Sequence, residues 1–305
     1  MRIAVLGAGA VGLSIAARLS NVADVVAVTR ERHVRAIRRE GFRLTGRWGD
    51  NRYDLDVRAG VDRGERFDYI LVTCKSVDTE TIATGYADLM KDTEVVSLQN
   101  GIGNEEVLSR FTDRVIGGMI ITGFEWRAEN AVHVSVEGGP MRLGRFPAGM
   151  DREVASLVEL VLRAGIPVEG TSTIRSEIWG KTMYNCALNP LGALMNVPYG
   201  RLAEPHAWAI ITEIVREIYA VAKAEDITLA WPQPADYLRY LADTQLPNTA
   251  GHHSSMLQDL LRGRRTEIDF LNGAIARIAG EHGIPAPVNS CIADLMRFRE
   301  SVQGS

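Results

Sequence analysis

Residues 3–12 read Ile-Ala-Val-Leu-Gly-Ala-Gly-Ala-Val-Gly, an apolar run that passes directly into three glycines with G-x-G-x-x-G spacing. Short apolar runs of this kind fill buried parallel strands, and the helical sequence 13–19 follows at once. Gly7 would allow a tight turn, Gly9 would let the backbone approach a pyrophosphate, and Gly12 would let the helix lie close to the strand. The stretch therefore predicts the strand, loop and helix of a dinucleotide-binding Rossmann fold.

The context of these glycines matters because G-x-G-x-x-G alone is a weak signal. Here they lie between a predicted strand and a predicted helix, where the motif requires them. The helix N-terminus would then face the phosphates of the bound nucleotide. The cofactor-binding candidates in this loop are Gly7, Ala8, Gly9, Ala10, Val11 and Gly12.

The end of the second predicted strand, residues 25–28, should lie beside the adenosine ribose, and Thr29 and Arg30 follow it. An acidic side chain there would bind a ribose 2′-hydroxyl, whereas a guanidinium would pair with a 2′-phosphate. Arg30 therefore favours NADPH/NADP+ as cofactor, with further arginines nearby. Glu31 leaves NADH open, because it would replace Arg30 if the strand ended one residue later.

Two more buried strands are predicted at 69–74 and 94–98, with a helix at 79–90 between them. Lys75 follows the first strand and Asn100 the second. In an open parallel sheet, ligands bind beyond the carboxyl ends of the strands, so both residues are expected to project toward the glycine loop. Taken singly, each is more simply a loop lysine or a turn-forming Asn-Gly. Together they are candidate site residues.

Beyond residue 115 the pattern changes to short strands such as 131–136 and 141–144, which predict an antiparallel tail on the same domain. His133 is interpreted as a strand residue, not a catalyst. An amphipathic helix at 151–164 would close the domain, and residues 170–173 are the predicted hinge.

From residue 176 onward the apolar periodicity is helical. We therefore predict an α/β fold with an N-terminal Rossmann-type dinucleotide-binding domain, residues 1–172, and an all-helical C-terminal domain, residues 173–305. The helices predicted for the second domain cover residues 207–224, 237–243, 254–262, 268–281 and 289–299.

Within residues 179–190, Lys181, Asn185 and Asn189 are spaced i, i+4 and i+8 and would share one helix face. An ammonium and two amides in a row could deliver a proton to a polarised oxygen and hold neighbouring oxygens. The alternative is an ordinary surface helix in which Lys181 pairs with Glu177 one turn earlier, for about 0.3–0.5 kcal/mol. The stretch alone does not decide between them.

A second informative stretch, residues 254–273, opens with two serines and leads through a basic turn to Glu267. Simple helix capping by Ser254 and by Thr266 explains the hydroxyls. It does not explain the carboxylate at 267.

The composition excludes several classes of protein. A net charge of −4 and a pI near 5.9 argue against a nucleic-acid partner, since such proteins carry a strong basic excess. Cys74, Cys186 and Cys291 are odd in number and widely spaced, so they are interpreted as buried thiols in a reducing compartment. The adjacent His252 and His253 lack ligand spacing, so no metal site is expected.

The N-terminal residues leave no room for a secretory signal, and no apolar run reaches bilayer-spanning length. We therefore expect a cytoplasmic protein without a membrane partner.

These motifs together resemble the ketopantoate reductase (2-dehydropantoate 2-reductase) family, and the resemblance spans essentially the whole chain. The matching segments, in order, are the glycine loop, Lys75, residues 99–103, residues 179–190, and residues 255–259 and 266–269. The resemblance implies a Rossmann domain, an all-helical second domain, NADPH as cofactor and a substrate cleft between the domains. It implies the reduction of ketopantoate to pantoate in pantothenate and coenzyme A biosynthesis.

The resemblance also implies roles for individual residues. Lys181 would be the general acid that protonates the substrate oxygen as hydride arrives. Substrate would be bound by Glu267 and Ser255, with Asn185 and Asn189 lining the pocket. Lys75 and Asn100 would lie at the junction of cofactor and substrate, which makes Asn100 a candidate for both sites.

Two other functions stay open on sequence grounds. A related NAD(P)H-dependent D-2-hydroxyacid dehydrogenase would act on another branched 2-keto acid. A non-catalytic nucleotide sensor would use the Rossmann domain only to bind NADP(H), but it would be expected to lack Lys181 or Glu267. The partner expected in every case is a small molecule, and a homodimer formed through the helical domain is possible.

Overall fold

The structure, a computed structural model, describes residues 1–303. The chain divides into two compact units: the first contains residues 1–99 and 104–175, and the second contains residues 100–103 and 176 onward. The assignment of cofactor binding to residues 1–172, and of substrate binding and dimerisation to residues 173–305, stays a prediction.

The first unit carries all the strands that the structure describes. They are β1 (Arg2–Leu6), β2 (Asp24–Val28), β3 (Phe42–Gly46), β4 (Asn51–Tyr53), β5 (Asp56–Arg58), β6 (Tyr69–Val72), β7 (Glu94–Ser97), β8 (Val115–Met119), β9 (Thr122–Ala128), β10 (Ala131–Glu137), β11 (Met141–Arg145) and β12 (Val168–Gly170).

The main sheet has eight strands in the order β12-β11-β8-β7-β6-β1-β2-β5. All neighbours are parallel except β11 and β8. Leu6 lies opposite both Val28 and Val72, and Val72 lies opposite Ser97, so β1, β2, β6 and β7 end at one edge. The predicted Rossmann-type fold is confirmed, and the glycine loop begins at this edge.

The predicted antiparallel tail is right for two pairs of strands but wrong for the place of β10. β11 pairs antiparallel with β8, and β10 pairs antiparallel with β9. However, β10 also pairs in parallel with β3, which lies far earlier in the chain, in a separate sheet of order β4-β3-β10-β9. Such a long-range pairing leaves no local signal. His133 is a strand residue, as predicted, with Nδ1 2.9 Å from Thr45 Oγ1.

Helices surround the main sheet and form the second unit. They are α1 (Ala10–Leu19), α2 (Glu31–Glu40), α3 (Thr79–Gly85), α4 (Ala87–Met90), α5 (Asn104–Leu108), α6 (Arg152–Arg163), α7 (Ile174–Met195), α8 (Pro205–Ala224), α9 (Pro234–Tyr240), α10 (Leu246–Asn248), α11 (Ser255–Leu261), α12 (Asn272–Glu281) and α13 (Pro287–Gln303). Shorter 3₁₀ turns span Ser76–Asp78, Tyr199–Ala203 and Ile268–Phe270, and one π-helical turn spans Leu241–Gln245.

Two of the predicted helices are interrupted. The segment 79–90 forms α3 and α4, which meet at Tyr86, and the segment 268–281 forms a 3₁₀ turn followed by α12. Both interruptions fall within an apolar pattern that does not distinguish a continuous helix from two short ones. Gly170, the first residue of the predicted hinge 170–173, is the last residue of β12, a strand that the sequence pattern did not indicate.

Each unit has its own apolar core. In β1, Ile3 and Val5 belong to the core on one side of the main sheet, while Ala4 and Leu6 belong to the core on the other. Burial on both faces is why the strand reads as a continuous apolar run. The core of the second unit includes Trp179 and Met183 of α7, which are both almost fully buried.

Helix α7 runs through Pro190, which cannot donate a backbone hydrogen bond to the carbonyl of Cys186. The buried Asn272 replaces the missing donor, since its Nδ2 lies 3.2 Å from Cys186 O. The same Nδ2 donates to Oδ1 of Asn289 at 3.0 Å, and Asn289 Nδ2 donates to Glu217 Oε2 at 2.7 Å. A buried polar network thus replaces the backbone bond that proline removes.

Cys74 and Cys186 are buried as expected, but Cys291 is exposed, which corrects the expectation of three buried thiols. The reason is its position on the outer face of α13, where a cysteine has no core to enter. Within residues 1–303 no helix is both long enough and apolar enough to span a membrane.

Replacing Asn272 by alanine should lower the free energy of unfolding by about 2–4 kcal/mol. The change leaves Cys186 O and Asn289 Oδ1 buried without their donor, at about 1–3 kcal/mol each. Urea denaturation followed by tryptophan fluorescence measures the loss. The control is Asn248→Ala at an exposed position of the same unit, which should change the free energy by less than about 0.5 kcal/mol.

Candidate functional site

The glycine loop has the geometry that a pyrophosphate requires. Gly7 has a φ of +67°, and a Cβ there would overlap Cys74, while a Cβ on Gly12 would overlap the Thr73 side chain. Gly9, in contrast, has open space where its Cβ would be, with nothing within 4 Å. The loop is therefore closed toward the strands and open toward the N-terminus of α1, where anions bind.

Hydrogen bonds from β2 hold the loop in place. Ala8 N donates to Val28 O at 2.8 Å, and the buried Thr29 hydroxyl donates to Ala8 O at 2.7 Å. Thr29 therefore links the end of β2 to the loop.

Arg30 follows directly, in an extended conformation, and Glu31 begins α2. The strand ends at Val28, so the condition under which Glu31 would replace Arg30 is not met. Within the described residues, the exposed Arg30 guanidinium forms no side-chain hydrogen bond or ion pair. Arg32 and Arg35 are exposed as well. The end of β2 therefore offers a cation to an anionic ligand.

In the second unit, the Asn100 side chain joins two of the predicted site residues. Lys181 Nζ donates to Asn100 Oδ1 at 2.7 Å, and Asn100 Nδ2 donates to Glu267 Oε2 at 3.2 Å. The amide therefore stands between an ammonium and a carboxylate that are far apart in the sequence. The alternative in which Lys181 pairs with Glu177 is not what the structure shows, since the ammonium bonds to Asn100 instead.

Burial lowers the pKa of Lys181 to about 8, and the charge of Glu267 opposes that shift. Desolvation disfavours the charged form of an amine, and a nearby anion favours it. A lysine with this pKa is still largely protonated near neutral pH but gives up its proton readily, which suits a general acid.

A small pocket adjoins this chain of hydrogen bonds. The residues that line it are Asn100, Asn189, Ser255, Met256, Asp259, Glu267 and Leu271. Asn189 and Glu267 are each 7% exposed, whereas Ser255 is exposed at the start of α11. The serine before it caps that helix, as expected: Ser254 Oγ accepts from Leu257 N at 3.1 Å.

The structure thus gathers four of the predicted substrate residues around one pocket, with Lys181 bonded to one of them. Asn185 is buried on α7, one turn beyond Lys181, but it does not line the pocket. Lys75 lies in the first unit, between β6 and the turn Ser76–Asp78. The roles of all these residues stay predictions at this point.

Two contacts explain how Asn100 and Glu267 come together. Gly101 has a φ of +84° and lies so close to Phe270 that a Cβ would overlap its carbonyl, and Ile102 N donates to Phe270 O at 2.9 Å. The loop 100–103 therefore packs on the turn that follows Glu267, which only a glycine at 101 allows.

Helix α13 forms hydrogen bonds with residues on both sides of Glu267 in the sequence. Glu300 Oε1 accepts hydrogen bonds from Thr266 N at 2.7 Å and from Thr266 Oγ1 at 2.5 Å. Two residues beyond Glu267, Asp269 accepts from Arg297 Nε at 2.8 Å. The residues before and after Glu267 are thus both tied to the last helix.

Sequence reasoning missed one residue that lines this pocket and one that hydrogen-bonds to a lining residue. Asp259 lines it, and its position four residues after Ser255 on a helix was a signal that the two share a face. Tyr199 donates a hydrogen bond to the Oδ1 of Asn189, and nothing in the local sequence pattern indicates it.

The mostly parallel sheet with its glycine loop places the protein among Rossmann-type nucleotide-binding proteins, here with a helical second unit. Two family models match it: "Ketopantoate reductase PanE/ApbA" over residues 3–148, and "Ketopantoate reductase PanE/ApbA C terminal" over residues 173–300. A 2-dehydropantoate 2-reductase from Pyrococcus horikoshii is 34% identical over 307 residues, covering 100% of this chain and 99% of the relative. The chain belongs to the ketopantoate reductase family.

Solved structures agree. A PanE/ApbA family ketopantoate reductase from Ralstonia eutropha JMP134 has a TM-score of 0.90 and 31% identity, covering 100% of both chains. The ternary structure of D-mandelate dehydrogenase with NADH and anilino(oxo)acetate has a TM-score of 0.88 and 26% identity, covering 100% of this chain and 99% of that one. The second similarity shows the same fold in a protein that is named as a D-mandelate dehydrogenase.

The low pKa of Lys181 can be measured directly, because the chain has only four lysines. In NMR spectra of lysine-labelled protein, the signal that disappears in Lys181→Arg should titrate near pH 8. Glu267→Gln should lower this pKa further, since the carboxylate favours the charged amine. Glu177→Gln is the matched control and should leave it unchanged. An unchanged value in Glu267→Gln would show that the carboxylate does not act on Lys181.

Proposed function

We propose that this protein catalyses the NADPH-dependent reduction of 2-dehydropantoate (ketopantoate) to pantoate. The observation that carries the proposal is the Lys181–Asn100–Glu267 chain beside a polar pocket, in a member of the ketopantoate reductase family. The runner-up, a dehydrogenase for another branched 2-keto acid, is less favoured because relatives that are 31–34% identical over 98–100% of this chain are 2-dehydropantoate 2-reductases.

The cofactor supplies the hydride when it is bound. The glycine loop would hold its pyrophosphate, since Gly9 leaves the space and α1 offers its N-terminus. Arg30 would pair with the 2′-phosphate, which would favour NADPH over NADH. Lys75, after β6, lies beyond the carboxyl end of a sheet strand and is assigned to the same cofactor.

Lys181 acts as the general acid. Negative charge develops on the keto oxygen during reduction, and the ammonium stabilises that charge and then gives up a proton to the oxygen. One of the three N–H groups of the Lys181 ammonium donates to Asn100, so the other two stay available for the substrate. A pKa of about 8 places the proton transfer near physiological pH.

The pocket residues orient the substrate. Glu267 has already accepted one hydrogen bond from Asn100 and keeps further lone pairs for a substrate hydroxyl. Ser255 and Asn189 hold the oxygens of an acid or alcohol, and Asn185 supports the face of α7 between Lys181 and Asn189. Such contacts fix which face of the ketone receives the hydride.

An activity panel tests the substrate and the cofactor together. Purified protein is assayed with NADPH and with NADH against ketopantoate and several other branched or aromatic 2-keto acids. The expected result is the highest kcat/KM with ketopantoate and NADPH. Much faster reduction of a different 2-keto acid would show that this acid, and not ketopantoate, is the substrate. Tight NADPH binding with no turnover of any acid would instead indicate a nucleotide sensor.

Lys181→Ala should lower kcat by at least about two orders of magnitude, the scale expected for loss of a general acid. The Kd for NADPH, measured by fluorescence titration, should stay within about twofold of the wild-type value. Lys223→Ala, an exposed lysine on α8, is the matched control and should keep full turnover. Turnover like that of the wild type in Lys181→Ala would remove Lys181 from the role.

A further inference from the structure

The Tyr199 side chain contacts Asn189, which lines the pocket. The residue is only 3% exposed, and its hydroxyl donates a hydrogen bond to Asn189 Oδ1. The backbone fixes the position of the ring, because Tyr199 N donates to His252 O at 3.0 Å, and the ring packs edge-on against the His252 ring at 5.2 Å. The hydroxyl is therefore held at one place against the amide.

The direction of this hydrogen bond follows from simple chemistry. A phenol has one hydrogen to donate, and Oδ1 is the only acceptor atom of a side-chain amide. Burial raises the pKa of Tyr199, so the phenol keeps its hydrogen. Within residues 1–303 its hydroxyl has no other acceptor. If the amide turned over, the hydroxyl would receive a hydrogen from Nδ2 and its own hydrogen would be buried without a partner, which is unfavourable.

The consequence concerns the other end of the amide. With Oδ1 turned to Tyr199, the Nδ2 group of Asn189 has no acceptor among the described residues, and Asn189 lines the pocket. Asn100 is not an equivalent donor, because its Oδ1 already accepts from Lys181 and its Nδ2 already donates to Glu267. Two carboxylates, Asp259 and Glu267, also line the pocket. An anionic substrate therefore needs hydrogen-bond donors there that offset their repulsion.

We propose that Tyr199 is a positioning residue that makes Asn189 a hydrogen-bond donor in the pocket, and that this donor binds a carboxylate oxygen of the 2-keto acid. The inference rests on the proposed function and names how the site recognises its acid group. Without the phenol, Oδ1 would be left without its donor, and the amide would turn Oδ1 toward the pocket, which would place an acceptor against the carboxylate.

The test compares Tyr199→Phe with Tyr184→Phe, using ketopantoate and NADPH. Tyr184 belongs to the same aromatic cluster, with its ring 6.0 Å from that of Tyr199, but its hydroxyl donates to Thr249 Oγ1 at 3.3 Å and not to a pocket residue. Tyr199→Phe should raise the KM for ketopantoate about 5- to 10-fold, the scale of one lost hydrogen bond, with kcat and the KM for NADPH within about twofold. Tyr184→Phe should leave all three within about twofold.

A double mutant shows whether the effect passes through the amide. If it does, Tyr199→Phe adds nothing to Asn189→Ala, and the KM of the double mutant equals that of Asn189→Ala. Additive effects, or a wild-type KM in Tyr199→Phe, would overturn the proposal while leaving ketopantoate reduction intact. If the wild type itself fails to reduce ketopantoate, the proposed function has failed instead.

If Tyr199→Phe does not fold, Asn189→Asp provides a second test of the same proposal. The carboxylate can still accept from Tyr199 but has no N–H to offer, and it would repel the substrate carboxylate. The KM for ketopantoate should then rise by at least about 10-fold, with folding checked by thermal denaturation. A KM unchanged in Asn189→Asp would mean that the substrate does not use the donor end.

Discussion

The neutral amide of Asn100 stands between the ammonium of Lys181 and the carboxylate of Glu267, and the chemistry of the pocket depends on this spacing. A direct ion pair would favour the charged amine and hold its proton tightly. With the amide between them, the carboxylate still acts on Lys181, but burial is the larger influence and lowers the pKa to about 8. The lysine can therefore both stabilise a negative oxygen and release a proton to it.

This chain of three side chains is held in place by residues that form none of its hydrogen bonds. Gly101 lets the loop that carries Asn100 pack on the backbone of Phe270, and Glu300 ties down the residue before Glu267. On the lysine side, α7 continues through Pro190 because Asn272 satisfies the carbonyl that the proline leaves free. The positions of the acid and the carboxylate are thus set by a turn, a helix end and a buried amide network.

The fold was largely predictable because its signals are local. A continuous apolar run followed by three glycines specifies a buried strand and a nucleotide loop, and the apolar periodicity beyond residue 176 indicated a helical second unit. The parallel pairing of β10 with β3 was not predictable, since it joins segments far apart in the chain and leaves no trace in either. The Tyr199 contact was hidden for a different reason: it joins the 3₁₀ turn Tyr199–Ala203 to α7 across a loop, and no sequence periodicity indicates how the chain turns there. Cys291 was placed wrongly because a small apolar residue on a helix does not reveal which face it occupies.

Residues 100–103 belong to the second unit although β7 and α5 on either side of them belong to the first. The polypeptide therefore crosses from one unit to the other three times, after residues 99, 103 and 175. On the ribosome, Asn100 lacks the second of its two partners until Glu267 has been synthesised, 167 residues later. The two units are for this reason not separable modules: a fragment that begins at the boundary near residue 175 would contain Lys181 and Glu267 but not the amide that joins them.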